Sequence, residues 1–253
     1  MIKVTILGCG ASLGAPVLGC SCKVCTSPHP KNKRLRSSIL ISHQTQHETK
    51  NILVDCGFDI KQQLMTHGVT SLDAVILTHH HADHLSGIDE LRVFSKLNGK
   101  NQLPIYISCD SDDKVSQCYD YMFKYEHLKK YVTQYYQKIE ISGMEIEFFK
   151  QNHVVMDSFG IRINNFVYAN DVAFFYDESE KYLQNMDVFL VDCCDYQSSR
   201  VHAGLERVLC WQEKYSPAKT YLTNLSHKID YFEIQKQLPQ NIIPAYDGLT
   251  ICI

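Results

Sequence analysis

The 253-residue sequence contains no apolar run that approaches the ~18 to 20 residues needed to span a bilayer. Its first residues lack the apolar segment and cleavage site of an export signal, so we expect a cytoplasmic protein with no membrane partner. Excess positive charge is also missing, because 25 basic and 28 acidic residues give a net charge of −3. This balance argues against bulk electrostatic binding of nucleic acid.

Internal repeats, low-complexity tracts and Pro/Gly/Ser-rich linkers do not occur in the sequence, which favours one continuous domain over residues 1–253. Histidine and cysteine are plentiful, with 12 and 11 copies. An odd number of cysteines without an export signal indicates reduced thiols or metal ligands, not a disulfide framework. Metal chemistry is therefore the first hypothesis to test.

The pattern of apolar residues predicts an α/β protein with mixed sheets. Short runs rich in Val, Ile, Tyr and Phe predict strands, among them "IKVTIL", "SSILIS", "LDAVILT", "MEIEFF" and "DVFLVD". Helical periodicity appears over residues 57–67, 83–97, 112–128, 203–214 and 230–238. A glycine stretch after the first strand, "GCGASLG", has the wrong spacing for a dinucleotide fingerprint, and no helix follows it. We therefore expect no dinucleotide site.

Four histidines and an aspartate crowd the segment "LTHHHADHLSG", directly after an apolar run. Successive side chains of an extended segment point to opposite sides, so His79 and His81 share a side and His80 faces away. His80 then packs or makes a supporting hydrogen bond. Asp83 and His84 come next, where they can serve a second ion. The competing interpretation, a surface patch that binds adventitious metal, does not account for this order of residues.

Imidazole and carboxylate together suit zinc, manganese or iron. Two such ions about 3.5 to 4 Å apart can bridge a water, lower its pKa and stabilise a displacement. The segment thus predicts one or two catalytic divalent metals, Zn or Mn.

The string "THHHADH" resembles the histidine motif of the metallo-β-lactamase superfamily. The resemblance implies an αββα sandwich, two mixed β-sheets with outer helices, and a metal site at one edge. It also implies that Asp55 supports the metal loop. One implied ion is held by His79, His81 and His153. The other is held by Asp83 and His84, with Asp171 between the two.

Three thiols occur at C-x-C-x-x-C spacing in a cysteine-rich loop at about residues 19–36, namely Cys20, Cys22 and Cys25. Such a trio can bind a structural zinc with one distant ligand, although three reduced cysteines in a loop are the plainer alternative. The other cysteines lie on apolar runs or helices, and we interpret them as core residues.

The cysteine loop narrows the resemblance to the group of phosphoribosyl 1,2-cyclic phosphate phosphodiesterases and their close relatives. Matching pieces are "GASLGAPVLGCSCKVC", "RLRSSILI", "DSFGIRI", "VHAGLE", "YLTNLSHKID" and "IPAYDGL". The resemblance implies a metal-dependent phosphodiesterase that acts on a small cyclic sugar phosphate. His227 is then the fourth ligand of the cysteine zinc. His202 and Asp83 are the candidate catalytic residues, with His202 protonating the leaving sugar oxygen.

One position departs from the group, because Asn224 stands where a histidine completes the second metal site. A neutral amide oxygen is a weaker ligand than imidazole for zinc, and is more acceptable to manganese. We therefore expect weaker occupancy of that site or a different ion there. A metal-binding protein with reduced or lost activity is a further alternative.

Other functions remain open on the sequence alone. An RNA-processing nuclease such as tRNase Z shares the histidine motif, but the negative net charge makes nucleic acid an unfavoured partner. The chain also resembles the cysteine-bearing protein of pyrroloquinoline quinone biosynthesis, which implies redox chemistry, but the complete H-x-H-x-D-H motif favours hydrolysis. The basic run over residues 31–36 is either a solvated surface or a contact for substrate phosphate. Homodimer formation is a further alternative that stays open, because the sequence carries no interface signal.

Overall fold

The structure is a computed structural model and describes residues 1–97 and 102–253. Its strands are β1 Ile2–Gly8, β2 Ser38–Gln44, β3 Thr49–Val54, β4 Ala74–Leu77, β5 Leu103–Ser108, β6 Leu128–Thr133, β7 Lys138–Ile141, β8 Met144–Asn152, β9 Asp157–Ile163, β10 Phe166–Ala169, β11 Phe174–Phe175, β12 Val188–Asp192, β13 Lys219–Thr223, β14 Ile242–Pro244 and β15 Thr250–Cys252. Its α-helices are α1 Lys23–Thr26, α2 Ile60–Thr66, α3 Ala82–Leu85, α4 Arg92–Leu97, α5 Asp112–Cys118, α6 Asp120–Lys124, α7 Leu205–Tyr215 and α8 Tyr231–Gln237. Short 3₁₀ turns lie at Pro30–Asn32, Ile88–Leu91, Cys109–Ser111 and Asp177–Leu183.

The strands form two mixed sheets. Within the described residues, the first sheet has the order β15-β1-β2-β3-β4-β5-β6. Its pairs are antiparallel up to β3 and parallel from β3 to β6. The second sheet has the order β11-β8-β9-β10-β12-β13-β14, with β7 added beside β8. It too is antiparallel up to β10 and parallel from there to β14.

The sheets pack face to face because their strands are apolar on both sides. In β2, Ile39 and Ile41 enter the core between the sheets, whereas Leu40 packs on the outer face under α2. In β8, Phe148 faces inward and Phe149 packs outward in a cluster that includes the α7 tryptophan, Trp211. Helices therefore cover both outer faces, and the expected αββα sandwich with two mixed β-sheets is confirmed.

The parallel halves of the two sheets position the functional residues. Carboxyl ends of parallel strands lie at the same edge of a sheet. Asp55 follows β3 and the histidine segment follows β4, while Asp171, Asp192 and Asn224 lie at the ends of β10, β12 and β13. The backbone N–H of Phe159 in β9 donates to the carbonyl of Thr78 at 3.0 Å. This hydrogen bond joins the second sheet to the start of the histidine segment.

Two of the expected helices are wrong in part. Residues 112–128 form two short helices, and residues 128–133 continue as strand β6. The strand is favoured by pairing with β5, where Tyr131 stacks on Tyr106 with ring centroids 5.0 Å apart. The expected helix over 83–97 is interrupted at Gly87. A Cβ there would lie 2.2 Å from the carbonyl oxygen of Gly57, so the chain passes too closely for any other residue.

No α-helix among residues 1–97 and 102–253 is both long enough and apolar enough to cross a bilayer.

Candidate metal centre

The first group of candidate ligands comprises His79, His81 and His153, whose nearest ring nitrogens all lie within 4.8 Å of one another. Nε2 of His79 and Nδ1 of His81 are 2.9 Å apart, whereas the His80 ring turns away and its Nδ1 meets the Ser111 hydroxyl at 3.1 Å. Burial holds the pKa of His79 well below its usual value and also lowers that of His81. Neutral imidazoles keep the lone pair that a cation requires.

His153 is oriented by its backbone surroundings. It follows β8, and its Nδ1 donates to the carbonyl oxygen of Val201 at 2.8 Å. That hydrogen bond assigns the proton to Nδ1 and leaves the Nε2 lone pair to face the other two histidines. The arrangement fits a metal ligand, because a ligating histidine commonly donates its second nitrogen to a carbonyl or carboxylate.

A second group centres on His84. Its Nε2 lies 2.6 Å from Oδ2 of Asp171 and 3.4 Å from Oδ2 of Asp83, while its Nδ1 lies 2.7 Å from Oδ2 of Asp55. Burial opposes a positive charge on His84, but the Asp171 and Asp55 carboxylates raise its pKa well above its usual value. Asp55 also accepts from the backbone N–H of Thr78 at 2.8 Å. Asp55 therefore holds both the histidine segment and the His84 ring in place.

Asp171 lies between the two groups. It has a left-handed backbone with φ of 51° and follows β10. Burial would raise the pKa of its carboxyl, yet the neighbouring His84 and His202 imidazoles hold it well below its usual value. Its Oδ2 faces His84, and its Oδ1 lies 3.3 Å from Nδ1 of His202. An ionised carboxylate between two clusters of imidazoles has the position of a bridging ligand.

Asn224 presents its amide nitrogen, not its oxygen, to this centre. Its Nδ2 donates to Oδ1 of Asp171 at 3.0 Å and to Oδ1 of Asp192 at 3.1 Å. An amide nitrogen has no lone pair for a cation, so in this orientation Asn224 is a hydrogen-bond donor and not a ligand. In this orientation Asn224 ties two buried carboxylates together.

Asp192 also belongs to this cluster, and the sequence analysis does not identify it. Its Oδ2 lies 2.8 Å from Nδ1 of His202, and its own pKa is raised by complete burial. Burial works against the charge on His202, but the carboxylates of Asp192 and Asp171 raise its pKa to about 9. The available signal was the position of Asp192 at the end of an apolar run that predicts a parallel strand.

The cysteine loop forms a separate candidate site with His227. Nδ1 of His227 lies 3.3 Å from Sγ of Cys20, 3.5 Å from that of Cys22 and 3.6 Å from that of Cys25. A tetrahedral zinc with bonds of ~2.3 Å to sulfur and ~2.0 Å to nitrogen requires an S···N separation of about 3.5 Å. The pKa of the Cys22 thiol is lowered to about 6, chiefly because the backbone N–H of Cys25 donates a hydrogen bond to its sulfur. The lowered pKa favours the thiolate. The four ligand atoms therefore fit this ion.

Other sequence interpretations are corrected by the structure. Arg34 is neither solvated nor available to substrate. It is buried, and its guanidinium donates to the carbonyls of Ser226 at 2.9 Å and Ile229 at 2.7 Å. Arg36 is partly buried and pairs with Asp59 at 2.9 Å.

The prediction of core positions for all the remaining cysteines is wrong for three that are exposed, Cys118, Cys210 and Cys252.

The chain matches the family model of the beta-lactamase superfamily domain over residues 50–224. It is 28% identical to an octanoyltransferase of Porphyromonas gingivalis over 263 aligned positions, which cover 100% of this chain and 52% of that protein. It is 29% identical to a ribonuclease Z of Methanosarcina acetivorans over 150 positions, covering 58% of this chain and 39% of the other. The chain thus spans about half or less of these relatives.

A crystal structure described as a new diphosphatase from the PhnP family is similar over 100% of this chain and 98% of its own, with a TM-score of 0.93 and 28% identity. This similarity extends over both sheets and over the cysteine loop.

Proposed function

The chain belongs to the beta-lactamase superfamily, and on that basis we propose that it is a metal-dependent hydrolase of phosphodiesters, with a small cyclic sugar phosphate as its substrate. The observation that carries the proposal is the convergence of His79, His81 and His153 beside Asp171 and an aspartate-paired histidine, His202. The full-length similarity to a PhnP-family diphosphatase supports chemistry at phosphorus.

The metals assigned to this centre follow from the donor atoms. His79, His81 and His153 would hold one catalytic zinc or manganese, and Asp83, His84 and Asp171 would hold a second, weaker one. A divalent ion at such a site lowers the pKa of water and stabilises charge that develops in a displacement. The cysteine loop with His227 would hold one structural zinc.

The chain's own groups provide the proton transfers. Because Nδ1 of His202 faces Asp192, its Nε2 proton remains for the leaving oxygen. Burial would raise the pKa of Asp83, but the His84 imidazole lowers it overall, so the carboxylate is ionised and can accept a proton from the attacking water. In this step the water oxygen bonds to phosphorus and the bond from phosphorus to the sugar oxygen breaks. The sugar oxygen takes the His202 proton.

RNA processing is a second candidate, supported by the ribonuclease Z of M. acetivorans among the relatives. The net charge of −3 does not favour a polyanionic partner. An electrophoretic shift assay with tRNA separates the two candidates, because an RNA-processing enzyme retards the tRNA at physiological salt and a small-molecule phosphodiesterase does not.

The proposed activity is tested with bis(p-nitrophenyl) phosphate and protein loaded with zinc or manganese. We expect hydrolysis that His79→Ala and His81→Ala abolish and that His47→Ala, at an exposed histidine, leaves intact. Equal activity in all three variants would contradict the proposal.

A further inference from the structure

A cavity of about 280 Å³ lies beside His202, between the metal centre and the cysteine loop. It is lined by the turn over residues 11–14, by Cys194, Asp195, Gln197 and Ser199, and by residues 226–228. We propose that this cavity binds the leaving group of the substrate, and that Asp195 and Lys228 select a hydroxyl-rich, non-aromatic group such as a sugar or polyol. The proposal rests on the phosphodiesterase function above.

Asp195 and Lys228 place an acceptor and a donor side by side on the cavity wall. Nζ of Lys228 lies 2.6 Å from Oδ2 of Asp195, and Oδ1 accepts from the backbone N–H of Tyr196 at 2.8 Å. A carboxylate has about four acceptor positions and an ammonium has three protons, so both groups retain capacity for a ligand. A hydroxyl both donates and accepts. The pair is also neutral overall, which favours an uncharged leaving group over a second phosphate.

Two serine hydroxyls add donors to the same wall. The Ser199 hydroxyl oxygen accepts from the backbone N–H of His202 at 3.0 Å, and that of Ser226 accepts from the N–H of Lys228 at 3.4 Å. Each hydroxyl acts as an acceptor in these contacts and keeps its hydrogen for donation. Ser199 therefore connects the cavity to the backbone of the residue that would protonate the leaving oxygen.

The lining disfavours a nucleobase. Among the described residues that form this cavity there is no Phe, Tyr or Trp to stack on a base, and stacking contributes about 1 to 3 kcal/mol per base where it occurs. The volume of about 280 Å³ is at the lower limit of ligand pockets, which are roughly 300 to 1,000 Å³. A single sugar matches the size of this space and the hydrogen-bonding groups on one of its walls.

The test compares ribose 1,2-cyclic phosphate, which has a hydroxylated leaving group, with bis(p-nitrophenyl) phosphate, which has an aromatic one. For Asp195→Asn and Lys228→Met we expect the ratio of kcat/KM for the sugar substrate to that for the aromatic substrate to fall at least about tenfold, as for loss of a hydrogen bond to a charged group. Lys138→Met, which breaks the exposed Lys138–Glu145 pair of β7 and β8, should keep the wild-type ratio.

Calorimetric titration of the metal-loaded protein with ribose 5-phosphate provides a readout that does not depend on turnover. Weaker binding in Asp195→Asn than in Lys138→Met supports the cavity assignment, and equal binding overturns it. An unchanged kcat/KM ratio in both cavity variants, or wild-type hydrolysis of the aromatic substrate without hydrolysis of the ribose substrate, also overturns it. If neither substrate is hydrolysed, the proposed function fails, and the titration still decides whether the cavity binds a sugar.

Discussion

Replacing Asn224 with histidine should add a metal ion to this protein. The side chain is buried and donates to two carboxylates, at 3.0 Å to Asp171 and 3.1 Å to Asp192. Its φ of 58° is a conformation that histidine adopts more readily than most residues. A histidine there offers a lone pair to the second ion position, for which Asp83, His84 and Asp171 are otherwise the assigned ligands.

Opposite effects on stability are expected without and with metal. Each lost hydrogen bond to a carboxylate contributes about 1.5 to 3 kcal/mol, so loss of both should make metal-free Asn224→His less stable than wild type by roughly 3 to 6 kcal/mol. Added metal at about one hundred times its Kd should raise the free energy of unfolding of the variant by about 2.7 kcal/mol. The stability difference between metal-loaded and metal-free protein should therefore be larger in the variant.

Thermal unfolding in chelator and in excess manganese, together with metal analysis, measures these effects. We expect the variant to bind about one more ion per chain than wild type. The matched control is Asn165→His, because Nδ2 of Asn165 also donates to a carboxylate, that of Asp187, but at an exposed turn. The role assigned to Asn224 would be refuted if Asn224→His bound no more metal than wild type. It would also be refuted if metal stabilised Asn224→His and wild type equally.

Further predictions concern the proton donor, the cysteine site, the metal and one buried carboxyl. His202→Ala should lower kcat by about 10² to 10⁴ on an alkyl phosphodiester and less on bis(p-nitrophenyl) phosphate, whose leaving group needs no proton; equal losses on both would contradict its role. Cys22→Ser should remove one zinc per chain and lower Tm by roughly 5 to 10 °C; a variant that retains that zinc would argue against the cysteine site. A chelator that removes the catalytic ion should stop hydrolysis, and added zinc or manganese should restore it; hydrolysis that persists in metal-free protein would exclude the metal mechanism. Burial raises the folded-state pKa of Asp247 to about 6, above its unfolded value, so its contribution to stability is present below about pH 4 and is lost as the pH rises to 6. Denaturant unfolding of Asp247→Asn should show roughly 2 kcal/mol less change between pH 4 and 6 than wild type, and an equal change would contradict that assignment.

Local patterns in the sequence predict much of the fold. Continuous apolar runs identify β2 and β8, because Ile39, Leu40 and Ile41 in β2 and Phe148 and Phe149 in β8 are buried on both faces of their sheets. Strand β6 is not predicted from the sequence, because its four central positions are exposed or half-buried and its apolar residues have no clear period of two. Its conformation depends on pairing with β5, which the sequence of β6 alone does not reveal.

The candidate site was predictable where the signal was local or supported by a family resemblance. The composition of the histidine segment alone indicates a metal site. That Asp192 lies beside this site follows only from the pairing of β12 with β10 and β13. Burial of Arg34 depends on carbonyls about 190 residues further along the chain, at separations of 192 and 195. The direction of the Asn224 amide is likewise set by carboxylates from two other strands. These features arise from tertiary packing, so no spacing rule predicts them.

The central claim is that histidines from separate segments hold one cation. Anomalous X-ray diffraction at the zinc and manganese edges, from crystals of protein purified without added metal, tests it most directly. The account predicts one peak at about 2.0 to 2.3 Å from nitrogens of His79, His81 and His153, and a separate zinc peak among Cys20, Cys22, Cys25 and His227. A peak at the cysteines alone, with the three histidines bound to no ion at either edge even after metal soaking, would contradict it.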